Sequence, residues 1–226
     1  MKALLAAAFG AVLTLASPAR AQEAVGFGFD FLDTALGQST QAAMTGALPA
    51  ASNAGLGFNP SMERRRATYD QLVEEVYLRD PGAAQQLQQT FAQTDLVAAA
   101  GEVTRQLGLD PHNLGDVMAI WLITAYEGSR TRIVTPSPAQ ARAVANQTAG
   151  ALAASPLAAP GAEADRQQLA EALLVEAVMI ENAIEATGTN PVARTQLRRS
   201  FKKSAEAAGM DLTALRLTEG GFVRAR

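Results

Sequence analysis

Few side chains in this sequence are placed to do chemistry, and the first of them is a carboxylate on an apolar side. At about 100° per residue, Glu176 falls among Leu169, Ala172, Leu173 and Ile180 in a helix read over residues 162–187. A carboxylate facing a core must be paired or protonated, because burying it alone is costly. Paired with an arginine from another helix, it is structural; protonated, with a raised pKa, it is a general acid or base. Glu171, Glu181 and Glu185 fall on the opposite side, beside Gln167 and Asn182, and are expected to be solvated.

Three arginines, Arg64, Arg65 and Arg66, crowd the first turns of a helix read over 60–78. There they oppose the helix dipole, and Glu63 offsets only part of that. They form salt bridges onto the rest of the fold, or Arg64 and the helix N-terminus together hold an anionic ligand or partner. A second basic group, Arg194, Arg198, Arg199, Lys202 and Lys203, covers about half the circumference of a helix over 191–208, opposite Leu197, Phe201, Ser204 and Ala208. That is a solvated face, or one drawn to anionic lipid headgroups or an acidic partner through residues such as Arg198 and Lys202.

His112 stands between Pro111 and Asn113, with Asp110 and Asp116 near it. A His–Asp dyad can be drawn, but no G-x-S-x-G elbow supplies a nucleophile. A capping turn for Asn113 and Asp116 explains the same residues. Trp121 and Tyr126 belong to the core, or with Met118 and Met179 they line a cavity. The candidate ligand or partner residues are therefore Arg64, Asn113, Asp116, Trp121, Tyr126, Glu176, Arg198 and Lys202, and none is read as catalytic. H-E-x-x-H, Walker A and G-x-G-x-x-G are all missing from the sequence. With no cysteine and one histidine, no metal site and no cofactor is expected. A formal charge of −3 does not suit a nucleic-acid binder.

These residues have to be positioned by helices. Asn59-Pro60 and Asp80-Pro81 are helix starts, an acceptor followed by a proline at the first helical position. They open helices over 60–78 and 81–107, the second with a break near Asp95. Gly108-Leu109 is a left-handed stop. Asn113 then caps 114–127, where Leu114, Val117, Met118, Ile120, Trp121, Leu122, Ile123 and Tyr126 cover nearly every side. A helix apolar all round is central. Further helices are read over 138–154, 162–187 and 191–208, and the tail Met210–Leu217 lays Leu212, Leu215 and Leu217 back onto them. Gly209-Met210-Asp211-Leu212 echoes Gly108-Leu109-Asp110 as a second helix stop of the same kind.

The N-terminus is read as an address. Met1-Lys2 begins it, Ala3 to Leu15 is an apolar run, and Ala19-Arg20-Ala21 is a cleavage pattern, so residues 1–21 are expected to be a secretory signal peptide. Losing Lys2 and Arg20 with it leaves 17 basic side chains against 22 acidic. Residues 22–57, rich in Gly and Ala, are read as a flexible arm, and 58–226 as the folded domain.

The segment Phe58-Asn59-Pro60-Ser61 with Arg64, then Gly108-Leu109-Asp110 followed by Asn113, Asp116 and Trp121, then Asp211-Leu212 with Gly220-Gly221-Phe222, resembles an uncharacterised family of exported bacterial helical proteins, a domain of unknown function. The resemblance implies an exported helical domain and brings no activity. The expectation is an all-α chain: a single bundle of about six helices with a disordered N-terminal arm, periplasmic or secreted, without a transmembrane segment once cleaved. Its expected role is a non-catalytic interaction or envelope-accessory one, toward an unknown protein or an anionic envelope component. The alternatives are a small-molecule or lipid carrier with a pocket between the central and long helices, and a hydrolase using Glu176 or Asp116 as base.

Overall fold

The computed structural model describes residues 55–225. The expected signal peptide and residues 22–54 of the expected arm lie outside the described residues. Among those described, seven α-helices run in the order α1 (Met62–Tyr77), α2 (Pro81–Gln93), α3 (Leu96–Gln106), α4 (Leu114–Arg130), α5 (Pro138–Leu152), α6 (Glu163–Thr187) and α7 (Pro191–Ala207). A short hairpin, β1 (Leu215–Thr218) and β2 (Gly221–Arg224), closes the chain. The fold is all-α apart from that hairpin.

α4 is the centre. Every residue from Leu114 to Ser129 is buried, as a helix apolar on nearly every side must be. It packs mainly on α5 and α6 and also meets α7 and α3. Asn113 starts it by accepting from the Gly115 and Asp116 amides. The 25-residue α6 is held on a second side by α1 and α3. That second set of neighbours overturns the expectation for its glutamates. Glu171 and Glu181 are buried, and only Glu185 of the three is exposed.

The extra helix comes from a break within 81–107. The break falls at Asp95, as read from sequence: Asp95 accepts from the Ala98 amide and begins α3. At α1 the cap is Ser61, not Asn59, because the Ser61 hydroxyl accepts from the Arg64 amide. Residues 55–57, read as part of the arm, are docked. Leu56 is 2% exposed, the Leu114 amide donates to the Leu56 carbonyl, and the Phe58 amide donates to the His112 carbonyl.

The C-terminal tail does return to the bundle, with Leu212 and Leu215 buried, but as a hairpin. A two-stranded ribbon alone is marginal in water, so α5 and α4 hold it. The Gln147 side chain accepts from the Phe222 amide and donates to the Phe222 carbonyl. Arg130 donates to the Leu212 and Leu215 carbonyls and lies 3.8 Å over the Tyr126 ring.

Candidate functional site

A cleft of about 350 Å³ falls within the roughly 300–1,000 Å³ usual for small-molecule sites. The segment 58–62, α3 and Pro111-His112 form its walls, and Arg65 and Glu171 reach it from α1 and α6. Phe58, Met62, Val97 and Pro111 make most of the lining apolar, and the Phe58 ring stands edge-on to His112 at 5.9 Å.

The charged floor is built outward from α6. Gln167, fully buried, accepts from the Ser61 amide and from Arg64 Nε, and donates to the Ser61 carbonyl and to Glu171 Oε1. One side chain thus seats the first turn of α1 on α6 and sets Arg65 over Glu171. Arg65 Nε donates to Glu171 Oε1 at 3.0 Å, and its Nη1 donates to Asp95 Oδ2 at 2.7 Å. Tyr69 donates from its hydroxyl to Asp95 Oδ1 and accepts from the Val97 amide. Its ring stacks on Phe91 at 4.0 Å.

Each ionisation is set by this arrangement. Burial pushes the Glu171 carboxyl above its ordinary range, although Gln167 and Arg65 pull the other way. At Asp95 desolvation is outweighed by bonds from the Ala98 amide, Tyr69 and Arg65, which hold it low. Desolvation of the Arg65 guanidinium is likewise outweighed, by Glu171 and Asp95. The Tyr69 phenol is driven upward, mainly by burial. Glu171 Oε1 is satisfied, and among the described residues the buried Oε2 has no hydrogen-bond partner.

The eight residues singled out from sequence are not one site. Arg64, half-buried, holds Gln167 and the Asn59 carbonyl. Asn113 is a cap. Asp116 accepts from the Asp110 amide and from Arg142; burial still raises its pKa despite those bonds. His112 donates its amide to Asp110 Oδ1 in the capping turn. Tyr126 packs on Phe222 at the hairpin. Arg198 and Lys202 are exposed on α7, with Lys202 3.6 Å from Glu206. Trp121 and Glu176 meet at the core, where the indole N–H donates to Glu176 Oε2 and both residues are 0% exposed.

That meeting assigns Glu176 a donor other than the arginine considered from sequence. Glu176→Ala is expected to lower stability by about 2 kcal/mol, because it strands a buried N–H. Urea melts at one pH test this; an unchanged midpoint would remove the structural role.

Reasoning from sequence missed Glu171, Asp95 and Gln167 as parts of a site. Arg65 stood among the three arginines, but nothing in its own segment marks a partner 106 residues away. Among the described residues, no cluster of three or more His, Asp or Glu is placed to hold a metal ion, and no helix is long and apolar enough to cross a membrane. No curated protein and no solved structure matches the chain. The model of a family of unknown function, DUF6683, matches residues 19–224, so the chain belongs to that family.

Proposed function

We propose that the chain is exported to the periplasm or beyond and serves there as a non-catalytic interaction or envelope-accessory protein. Its recognition site is the cleft between α1, α3 and α6. One atom carries the reading. Glu171 is 1% exposed, and among the described residues its Oε2 has no partner, while Arg65 and Asp95 beside it are bonded. An unpaired buried acceptor costs about 1–3 kcal/mol, and a donor arriving in the cleft would recover it once the Glu171 carboxyl turns toward it. The carrier reading moves to the same place. The cavity bounded by α3, α4, residues 133–136 and Glu181 measures about 30 Å³, room for about one water.

Export is supported by the leader pattern and is checked by fractionation and N-terminal sequencing, with Gln22 as the expected first residue. Binding is checked by a photo-crosslinker placed at exposed Ala98, on the cleft wall, in the native envelope. Adducts should form there and be lost with Glu171→Gln. Equal adducts with and without that substitution would overturn the cleft. A second reading is favoured by the exposure of Arg198, Arg199, Lys202 and Lys203 on one stretch of α7, a face suited to an anionic envelope component. Adducts confined to a crosslinker at Arg198, or salt-sensitive sedimentation with anionic liposomes, would select it.

A further inference from the structure

Charge is segregated along this chain. Residues 191–226 carry eight lysines and arginines and only three acids, while residues 22–190 carry nine basic side chains against nineteen acidic. Most of the basic excess sits on one helix. On α7, Ala193, Leu197, Phe201 and Ala205 are buried against α4 and α6. At about 100° per residue, Arg198, Arg199, Lys202 and Lys203 fall on the opposite arc, and all four are exposed. Arg198 with Lys202, and Arg199 with Lys203, are like charges at i, i+4, a spacing that destabilises a helix. A helix face that meets only water ordinarily interleaves the two signs. Here Glu206, 3.6 Å from Lys202, is the one acid on the arc. Among the described residues, no ion pair reaches Arg198, Arg199 or Lys203.

We propose that α7 docks on the surface of a bilayer carrying anionic headgroups, with Arg198, Arg199, Lys202 and Lys203 against the phosphates and no helix inserted. This deepens the second reading and rests on the basic face being a contact surface. No residue of α7 lines the cleft of about 350 Å³ or the cavity of about 30 Å³. The four cations therefore lie on convex surface, open to a plane of charge and unable to enclose a small anion. A protein interface is centred on buried aromatic or apolar anchors, and the one large apolar side chain exposed on α7 is Val192, in its first turn. Headgroup binding by a basic face needs no such anchor. Insertion is not open to α7, because its apolar side is already buried in the bundle, with the Phe201 ring fully covered. The acid-rich remainder of the chain is repelled by the same surface, so the segregated charge turns α7 toward the bilayer.

Sedimentation of the full mature chain with vesicles tests this. The vesicles are equal parts phosphatidylglycerol and phosphatidylcholine, or phosphatidylcholine alone, and calorimetry with glycerophosphate and polyglutamate supplies the soluble comparisons. Binding is expected with the anionic vesicles only, and is expected to fall steeply as salt rises. The paired substitution Arg198→Gln and Lys202→Gln should weaken it at least about tenfold. Both positions are exposed, and thermal melts check that the fold is kept. Arg198→Lys with Arg199→Lys preserves the charge and should preserve binding, and Glu171→Gln in the cleft should leave it unchanged. Equal binding to neutral vesicles, or full binding by the Gln variant, would overturn the docking. Glycerophosphate binding as tightly as the vesicles would replace the charged plane with a single-anion site. Polyglutamate binding where vesicles do not would keep α7 as a contact surface, for an acidic protein, and end the lipid assignment. If neither binds, the inference and the second reading fall together, while the cleft reading is untouched.

Discussion

Between pH 5 and pH 8 the folded chain is expected to lose about 4 kcal/mol of stability through one carboxyl group, and Glu127→Gln should remove that loss. Glu127, on α4, is 2% exposed. Its pKa is pushed up to about 9 from an ordinary 4.5, first by burial and then by the charge of Glu181, against one bond from the Val134 amide. Between those two values the native state keeps a proton that the unfolded chain has released. Its stability contribution is therefore complete below pH 4.5, falls as pH rises, and levels off above about 9. Urea midpoints of the wild type should drop steadily across the window, while the Gln variant keeps a much shallower slope. Asp116 and Glu171, also raised by burial, leave that residue of slope with the same sign. Asp95, held low, acts only at more acidic pH. At pH 8 the variant should be the more stable protein. Parallel slopes for the two chains would show that Glu127 does not keep its proton.

The geometry explains why this group is so displaced. Glu127 Oε1 accepts from the Val134 amide at 2.7 Å, while Oε2 is buried with no partner among the described residues. Glu127 and Glu181 border the same cavity of about 30 Å³. Two carboxyl groups brought together in a buried site cannot both ionise cheaply, so one holds a proton. Replacing Glu181 with Gln should bring Glu127 back toward its ordinary range and flatten the wild-type slope in part.

The local signals of this fold were legible. Asp80-Pro81, Asn113, Ser137 and Asn190-Pro191 each start a helix where an acceptor meets unsatisfied amides. Gly108 and Gly209, both with positive φ, each end one. The burial of α4 follows from a surface with no polar side. What local pattern does not carry is the number of neighbours a helix has. α6 looks amphipathic when one wet side is assumed, so Glu171 and Glu181 were expected in water. It is packed by α4 on one side and by α1 and α3 on another, and its acids become buried partners. The cleft was illegible for the same reason. Arg65, Asp95 and Glu171 meet only after three helices converge, and Gln167 aligns them from a position that reads as ordinary surface. The hairpin was equally obscure, because its strands are four residues each and depend on Gln147 of α5.

Gly128→Ala should destabilise the protein by about 3 kcal/mol, against the direction that helix propensity dictates. Alanine in mid-helix is favoured over glycine by roughly 0.8–1.0 kcal/mol, so a position with free space on α4 would become more stable. Gly128 has no such space. A Cβ built there runs into the Phe201 ring of α7, and Phe201 is itself fully buried. A flat ring held on all sides cannot turn aside as the end of a flexible chain would, so α7 must shift away from α4. In a chain of this size the cost corresponds to about 10 °C in Tm. Phe201→Leu alone opens a gap and is also destabilising, but in the double variant the smaller side chain makes room for the methyl group. The two effects should therefore cancel in part, with a coupling of at least about 1 kcal/mol. The sign of the single substitution decides the matter. A higher Tm for Gly128→Ala would mean that the α4–α7 contact is looser than the ring position requires, whereas a lower Tm restored by Phe201→Leu fixes the glycine as the notch in which that ring sits.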